Sequence, residues 1–459
     1  MISREEMQEI ANSYKEPIGL NIGSHSALDA WQGQRNYGLR TVIYTTPQRA
    51  RIYLENPMVG NVGERIEDLA STVKRDLIVV EDPRDIKKNG SWRSAIVIID
   101  RYADIVKYVD DLVQLECLQI PNRAFSVYVG GDERCSLIED RFAVPIVGSR
   151  RLLKIENRGE IERDYYWFAE KAGIPYPKSY GFEVYDGGIR FKEPVKEPML
   201  LKAEHATRTL EREFIFAADS SDMETKVAEE VRFGNLTRSS LERARVEQII
   251  LGPHANFNFF FSPLDSKGDW GDVERAFSKL YGLSIDDARA CLSNQLLSID
   301  ERRETILDGL KRLPIDVQEK LRRTPSFEVT CHLPMSLRES LLKEVHRFAD
   351  AFYLATRKYE PPGIIGAWCL QTLITWEEIG PGTAIQFGLY DVPEGQGSYI
   401  HLPVTQDVAL RHGGGTNTHM GIGAQYSNPK YGCTMSMGDR IALEIRRALK
   451  GGSLAQIVT

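Results

Sequence analysis

The alternation of short apolar runs with helical patterns is the feature that most constrains the fold of the first 130 residues. Helices are predicted at residues 4–14 and about 25–37, and buried strands at 17–22, 41–44, 76–80, 95–99 and 125–129. Apolar strands separated by helices predict an α/β domain with a mostly parallel sheet. Ligands of such sheets bind beyond the carboxyl ends of the strands, where the turns at Gly23 and Gly130 are expected.

The turn Gly23-Ser24-His25 follows the first predicted strand and enters a helix. Backbone N–H groups at such a junction, together with the positive end of the helix dipole, favour a phosphate or a carboxylate. His25 adds a donor that becomes cationic near neutral pH. The alternative is that Ser24 is only the helix N-cap and His25 a surface residue.

Composition limits the classes of function. A chain of 459 residues is expected to form two to three domains, and a net charge of −7 argues against a nucleic-acid-binding surface. No apolar run has the length of a membrane span, and the first residues lack the apolar stretch of a signal peptide. The six cysteines form no CxxC pair, so we expect a cytoplasmic protein with reduced thiols. From the net charge and the lack of a long apolar run, we expect neither a nucleic-acid nor a membrane partner.

The pattern changes after residue 147. The sequence predicts strands near 180–185, 199–202 and 214–216, a helix near 221–232, and a long strand pair that begins at Val246 and ends near residue 264. Residues 265–295 are typical of a helical insertion. A long amphipathic helix is predicted from Ser336, with Glu339 completing a capping box.

Three later positions carry polar groups in unusual places. Lys202 ends an apolar strand, where an ammonium group is costly unless it meets an anion. Gln371 ends a predicted strand that follows the rigid turn at 361–363. Arg411 precedes a glycine-rich segment whose backbone can approach a ligand closely, and its guanidinium is suited to binding phosphate. Each has an ordinary explanation when taken alone, such as a turn, a flexible loop or a snorkelling lysine.

Eight segments occur in a characteristic order along the chain. They are 23–25, 148–154, 257–264, 308–310, 338–342, 361–371, 414–417 and 436–442. In this order they resemble the archaeal FAICAR synthetase family, whose members are ATP-grasp ligases of purine biosynthesis. The resemblance covers nearly the whole chain except residues 265–295 and a second expected insertion near 393–409.

The resemblance implies an α/β ATP-grasp fold with an N-terminal parallel-sheet preATP-grasp domain. The implied domains are 1–146 (preATP-grasp), 147–252 (small lid domain) and 253–459 (C-terminal domain with the two insertions). The implied reaction is the formylation of aminoimidazole carboxamide ribonucleotide (AICAR) by formate and ATP. It proceeds through formyl phosphate and yields FAICAR, ADP and phosphate. The resemblance further implies a homo-oligomer, for which the segment 265–295 is a candidate interface.

The resemblance also assigns roles to single residues. His25 and Ser24 would contact the ribonucleotide, and Arg411 would act at the phosphate-transfer centre. The cofactors would be ATP and Mg²⁺. The remaining assignments are Lys154 and Lys202 for the ATP phosphates, Glu247, Gln248, Ile249 and Ile250 for the hinge that receives adenine, and Gln371 with either Asp391 or Asp407 for the metal.

Several positions depart from the family pattern. The segment 203–213 contains no glycine and three carboxylates where the family has a glycine-rich phosphate loop. Ala124 and Ile306 replace a substrate-contacting Ser and Asn. Two interpretations follow: a ligase with altered substrate contacts, or a diverged paralogue that acts as a nucleotide-binding or assembly partner. For His412 and His419, which flank the glycine-rich segment, solvent exposure or a phosphate contact is favoured over a metal site.

Overall fold

The computed structural model describes residues 1–55, 76–157, 159–204, 212–321, 329–378, 399–413, 431–432 and 435–459. All structural statements below concern these residues. Within these ranges the chain forms three main sheets, and each lies inside one of the three domain ranges expected from the sequence. The exact domain boundaries stay a prediction.

The first sheet is parallel and has the strand order β3-β4-β2-β1-β5. The expected parallel sheet is confirmed: β1, β2 and β4 carry Val, Ile and Leu at buried positions, while β3, at the edge of the sheet, is only partly buried. The strands are β1 (Ile18–Ile22), β2 (Arg40–Thr45), β3 (Leu77–Val80), β4 (Ser94–Ile98) and β5 (Cys117–Ile120); the helices are α1 (Arg4–Asn12), α2 (Ala27–Asn36), α3 (Pro47–Glu55), α4 (Val109–Gln114) and α5 (Ser136–Asp140).

The second sheet is small and antiparallel, with the order β10-β9-β11-β6, and a two-stranded hairpin, β7-β8, lies beside it. Its own apolar core includes Leu201, Met223 and Val246. The elements are α6 (Tyr165–Ala172), β6 (Ser179–Tyr180), β7 (Phe182–Tyr185), β8 (Gly188–Phe191), β9 (Met199–Glu204), β10 (Arg212–Ala217), α7 (Ser220–Arg232), α8 (Arg238–Glu242) and β11 (Arg245–Gln248).

The third sheet is antiparallel, with the order β14-β13-β12-β15-β16. The elements are β12 (His254–Phe261), α9 (Pro263–Ser266), α10 (Asp272–Tyr281), α11 (Ile285–Leu292), β13 (Asn294–Glu304), α12 (Thr305–Leu310), α13 (Ile315–Leu321), β14 (Val329–Pro334), α14 (Glu339–Tyr359), β15 (Gly366–Glu378), β16 (Tyr399–Ala409) and α15 (Met437–Lys450).

Strand β12 shows why this sheet has one apolar and one polar face. Phe257 and Phe259 alternate with Asn256 and Asn258, so the aromatic rings join the core that α14 covers while the amides lie on the other face. Phe260, on the same face as the amides, packs in one core cluster with Ile120 of the first sheet, and the bridge between Asn122 and His412 also joins the two parts. Helix α15 also crosses between them, because it packs against α2.

Four local predictions are wrong. Helix α2 begins at Ala27, so its N-cap is Ser26 rather than Ser24. The apolar run 125–129 is a π-helical turn, because the first core buries Phe125 and Val129 without an adjacent strand for them to pair with. Strands β11 and β12 belong to different sheets and are not a pair. The N-cap of α14 is Arg338, so the capping box of Ser336 and Glu339 does not form.

Other predictions for this half of the chain are confirmed. Residues 265–295 are helical, since α10 and α11 lie there, and the helix predicted near 221–232 is α7. Residues 399–409 form β16, an edge strand of the third sheet that pairs with β15, and the expected second insertion near 393–409 stays a prediction. Among the described residues, no helix combines the length and the apolar character needed to cross a bilayer.

Candidate active site

The turn after β1 is held tightly by its neighbours. A Cβ atom on Gly23 would lie 2.6 Å from the Cβ of Thr45, so only glycine fits there. The carbonyl of Gly23 accepts a hydrogen bond from the hydroxyl of Tyr102 at 2.6 Å, and that of Ser24 accepts one from the amide of Asn122 at 2.9 Å. The turn therefore presents a defined surface at the carboxyl end of the sheet, as the α/β pattern predicts.

His25 adopts a left-handed backbone conformation, with φ of 55°. Its ring is exposed to the cleft, and its Nδ1 lies 2.9 Å from the hydroxyl of Ser26. Desolvation by the surrounding protein, together with the charges of Arg411, His412, His332 and Arg123, lowers the pKa of His25 to about 3. The prediction of a histidine that becomes cationic near neutral pH is therefore wrong: the ring is neutral there.

Ser24 is buried and does not cap the helix. Its hydroxyl accepts a hydrogen bond from Arg49, whose guanidinium lies 5.2 Å from the centre of the Tyr128 ring and donates to the hydroxyl of Tyr128 at 3.0 Å. Arg49 comes from α3, which follows β2, the strand next to β1 in the sheet. A cation thus adjoins the anion-favouring turn.

Arg411 lies at the end of β16 and reaches the same cleft. Its guanidinium donates to Glu156 at 3.0 Å, and Arg123 donates to the same oxygen of Glu156 at 2.7 Å. Burial lowers the pKa of Arg411, whereas the negative charge of Glu156 acts to raise it. Two guanidinium groups share one carboxylate, so the cluster carries an excess positive charge beside His25. That charge suits an anionic ligand.

His412 is buried, so the expectation of solvent exposure is wrong, and that of a phosphate contact stays a prediction. Its Nε2 lies 2.7 Å from the carboxylate of Asp29, which also accepts the backbone N–H of Gly438 at 2.9 Å. Burial alone would raise the pKa of Asp29, but the hydrogen bonds from His412, Ser436 and Gly438 outweigh it and lower that pKa. Asp29 thus joins α2 both to the segment that follows β16 and to α15. His419 lies outside the described residues.

A row of polar residues crosses the third sheet on the face toward the cleft. Asp407 on β16 is directly opposite Gln371 on β15, Gln371 is opposite Asn256 on β12, and Asn256 is opposite Asp300 on β13. Directly opposite residues of neighbouring antiparallel strands have side chains on one face. The oxygen of the Gln371 amide accepts a hydrogen bond from Arg302, which also lies on β13.

Gln371 and Asp407 fit the chemistry of a magnesium site. Mg²⁺ prefers oxygen ligands and uses one or two protein ligands while substrate phosphates supply others. An amide oxygen and a carboxylate on neighbouring strands provide such a pair. Asp391, the rival candidate for the metal, lies outside the described residues.

Lys202 meets an anion, as the cost of burying its ammonium group requires. It is buried on β9 and forms an ion pair with Glu247 of the neighbouring strand β11. Glu247 also accepts from the hydroxyl of Tyr166 at 2.5 Å. Burial, with the charges of Arg302, Lys311 and Lys202 acting in the same direction, lowers the pKa of His254 to about 4.

The other predicted ATP contacts are Lys154 and the hinge segment. Lys154 forms an ion pair with Glu139 at 2.7 Å, just after the turn that follows the first sheet. In the hinge, the N–H of Gln248 donates to the carbonyl of Lys178 at 2.8 Å, and the N–H of Ile249 donates to that of Pro198 at 3.4 Å. Ile250 is buried in the core beneath the third sheet. The segment 205–211, which includes most of the glycine-free loop, and residues 414–417 lie outside the described residues.

The structure therefore brings most of the predicted residues together, and it adds some that sequence reasoning missed. Ser24, His25 and Arg411 lie at one cleft with the Gln371 and Asp407 row, while Lys202 with Glu247 borders that row through His254. The missed residues are Arg49, Arg123, Glu156, Asn256, Asp300, Arg302 and His332. Only Asn256 had a signal in the sequence, since polar residues alternate with aromatic ones along β12.

Comparison with known proteins agrees with this architecture. The family model described as "Domain of unknown function (DUF1297)" matches residues 222–459, and that described as "Protein of unknown function (DUF1246)" matches residues 20–180. The chain is similar to proteins named 5-formaminoimidazole-4-carboxamide-1-(beta)-D-ribofuranosyl 5'-monophosphate synthetase. Identity is 27% over 463 residues for that of Methanopyrus kandleri, covering all of both chains, and 28% over 465 residues for that of Methanobrevibacter smithii, covering 100% and 99%.

Among solved structures, an IMP biosynthesis protein PurP from Thermococcus kodakaraensis shares the fold. The TM-score is 0.54 at 21% identity, and the match covers 96% of this chain and 100% of that one. The predicted fold class, an α/β ATP-grasp fold with an N-terminal parallel sheet, is confirmed. Since the first family model spans more than half of the residues, the chain belongs to the DUF1297 family, and its membership of the FAICAR synthetase family is confirmed.

Proposed function

We propose that this protein is an ATP-dependent ligase that forms a carbon–nitrogen bond by formylating AICAR with formate. The observation that carries the proposal is the convergence of His25, Arg123 and Arg411 with the Gln371 and Asp407 pair at one cleft. A site that binds a nucleoside triphosphate, formate and a ribonucleotide together must accommodate three anions, and this cleft concentrates cationic side chains. The full-length similarity to proteins named as synthetases of this product supports the same conclusion.

In the proposed first step, an oxygen of formate attacks the γ-phosphorus of ATP, and ADP leaves with the bonding electron pair. Arg411 and Arg123 would stabilise the negative charge that the transferred group carries. Glu156 holds both guanidinium groups, so they are in place before the anions arrive. Lys202 and Lys154 would contact the ATP phosphates, with Glu247 and Glu139 holding their ammonium groups.

Magnesium bound by Gln371 and Asp407 would neutralise charge on the triphosphate. The side chains around that pair contribute on their own account. Arg302 contacts the Gln371 amide, and His254 lies beside Arg302 and Lys202. We propose that the segment 247–250 receives the adenine ring through its remaining backbone groups.

In the second step, the amine of the ribonucleotide attacks the formyl carbon, and phosphate leaves. The turn Gly23-Ser24-His25 would bind the ribonucleotide, with Arg49 beside Ser24 as a further cation for its 5′-phosphate. Ala124 is buried in the first core and Ile306 lies on α12. We therefore propose that contacts to the base differ from those of the family at these two positions.

The assay that tests the proposal measures ADP release with ATP, Mg²⁺, formate and AICAR, and with each omitted in turn. The proposal expects ADP and FAICAR in equal amounts only when all are present. ADP formed only with another acid or amine would show altered specificity. Absence of heat on titration with millimolar ATP and Mg²⁺ would instead favour a diverged paralogue that serves as an assembly partner.

We further propose a cytoplasmic homo-oligomer in which α10 and α11 contribute to the interface. The surface of this segment exposes Val273, Leu280 and Tyr281, with 76% of Leu280 accessible. Adjacent exposed apolar side chains mark interaction surfaces more often than single ones do.

A further inference from the structure

The edge strand β14 contains one side chain that is drawn in toward the sheet. Its other residues are exposed, but His332 is only 21% exposed at its side chain. Its Nδ1 lies 2.6 Å from a carboxylate oxygen of Asp300 on the neighbouring strand β13. A histidine fixed by a fully buried carboxylate has a defined ring orientation, so its second nitrogen has a defined direction too.

The Asp300 carboxylate is itself held in place. Asn256 donates to it at 2.8 Å and Asn258 at 2.7 Å, so with His332 it accepts three side-chain hydrogen bonds while being completely buried. A carboxylate bound in this way acts as an acceptor, which makes Nδ1 of His332 the donor and leaves the lone pair on Nε2. Among the described residues, no hydrogen bond from Nε2 of His332 is present.

His332 faces the cleft at its substrate end. It lies close enough to His25 for its charge to lower the pKa of that histidine. The charged or titratable groups around it are Asp300 and Arg302 from β13 and His25 from the turn after β1. His25 is a weak proton acceptor because its pKa is lowered to about 3, so its ring serves binding better than proton transfer.

We propose that His332 is the general base that accepts the amine proton during formyl transfer, with Asp300 as its positioning residue. The inference rests on the proposed function. As the carbon–nitrogen bond forms, the carbon–oxygen bond to phosphate breaks and phosphate leaves with the electron pair. The nitrogen thereby becomes acidic, and its proton passes to Nε2 of His332, which later releases it to water. The first step, from formate and ATP to formyl phosphate, needs no such base.

This division between the two steps supplies the test. Hydroxylamine, used in place of AICAR, traps formyl phosphate as formohydroxamate and reports the first step alone. In His332→Gln we expect hydroxylamine-dependent ADP release within twofold of the unaltered protein, and FAICAR formation reduced about 100-fold in kcat, a typical loss for a general base. The KM for AICAR should change less than threefold, and imidazole added to His332→Ala should restore part of the rate.

Thr330→Ala is the matched control, because the Thr330 hydroxyl also joins β14 to β13, through the carbonyl of Arg303 at 3.2 Å. It should leave both rates unchanged. If His332→Gln unfolds, His332→Asn replaces it, with the melting temperature as the check.

Equal losses of hydroxamate and FAICAR formation would show that His332 only anchors the strand, and an unchanged kcat for FAICAR would show that it is not the base. Either result overturns the inference. Absence of formate-dependent ADP release in the unaltered protein would instead overturn the proposed function, so the two failures are distinguishable.

Discussion

The carboxylate of Glu156 accepts a hydrogen bond from the guanidinium of Arg411 at 3.0 Å, and both side chains are about nine-tenths buried. Glu156 follows the first sheet, whereas Arg411 lies just after β16, the last strand of the third sheet. The pair therefore joins the two parts of the chain that form the cleft. Arg123 shares the same carboxylate oxygen at 2.7 Å, so one acidic group orients two cations toward the proposed anion site.

The substitution Glu156→Gln tests this arrangement through stability. The shape is kept, but the buried Arg411 loses its compensating charge, and we expect the free energy of unfolding to fall by about 2 kcal/mol. Urea denaturation measures it. Glu242→Gln is the control, since Glu242 pairs with Arg238 on the surface at 2.9 Å and should change stability by less than about 0.5 kcal/mol. Equal effects in the two variants would contradict a structural role for the buried pair.

Replacing His25 tests the binding role of the turn. Asn tolerates the left-handed backbone that His25 adopts, so His25→Asn removes the ring without straining the chain. We expect the KM for AICAR to rise about tenfold, equivalent to about 1.4 kcal/mol, while the KM for ATP and the melting temperature change little. Steady-state kinetics with each substrate varied separately would measure both constants. A KM for AICAR within twofold of the original would refute the assignment.

Lys202 and Glu247 allow stability to be separated from nucleotide binding. Lys202→Met leaves the Glu247 carboxylate buried without its lysine, and we expect a loss of about 3 kcal/mol in unfolding free energy. The double variant Lys202→Met/Glu247→Gln should recover most of that loss, because neither charge is then buried alone. ATP affinity, measured by calorimetric titration, should be at least tenfold weaker in both variants than in the unaltered protein.

Lys178→Met serves as the control for this pair, since Lys178 is exposed and its partner Glu197 lies 3.3 Å away near the same sheet. Lys178→Met should change neither the free energy of unfolding nor the ATP affinity. Recovery of ATP affinity together with stability in the double variant would show that Lys202 does not contact the nucleotide.

The lowered pKa of His254 predicts a loss of stability in acid. Burial, aided by nearby cations, lowers the pKa of His254 to about 4, below the value of about 6.5 expected in the unfolded chain. The unfolded state therefore binds more protons between these values, so the stabilising contribution is complete above pH 6.5 and is lost as the pH falls toward 4. Unfolding free energies across this range should fall less steeply in His254→Gln. An identical slope in both proteins would disprove the contribution.

The proposed interface on α10 can be tested by introducing a charged side chain into it. Leu280→Glu places a carboxylate on the exposed apolar surface, and we expect the mass measured by light scattering to fall toward that of one chain. Ile315→Glu is the matched control because Ile315 is similarly exposed, at 74%, but lies on α13. An unchanged mass for Leu280→Glu would exclude this surface from the interface.

Local patterns accounted for much of the fold. The apolar runs of β1, β2 and β4 were predictable because each is a continuous buried strand of a parallel sheet, and β3, at the edge of the same sheet, keeps the apolar run although it is only partly buried. The run 125–129 has the same composition but forms a π-helical turn that buries Phe125 and Val129 and leaves Tyr128 partly exposed, since a short apolar run is compatible with either structure. The capping box at Ser336 and Glu339 failed for a related reason: a cap motif states a preference, which tertiary contacts override.

The site divides in the same way. The family was predictable from the ordered motifs, and the glycine turn at residue 23 and the need of Lys202 for an anion were predictable from backbone geometry and the cost of burying a charge. Which anion meets Lys202, and which groups face His25, became known from the folded chain. Glu156 and Arg411 are 255 positions apart, and Asp29 and His412 are 383 apart. Contacts between such distant positions leave no periodic or local signal, since they arise only when separate sheets pack against each other.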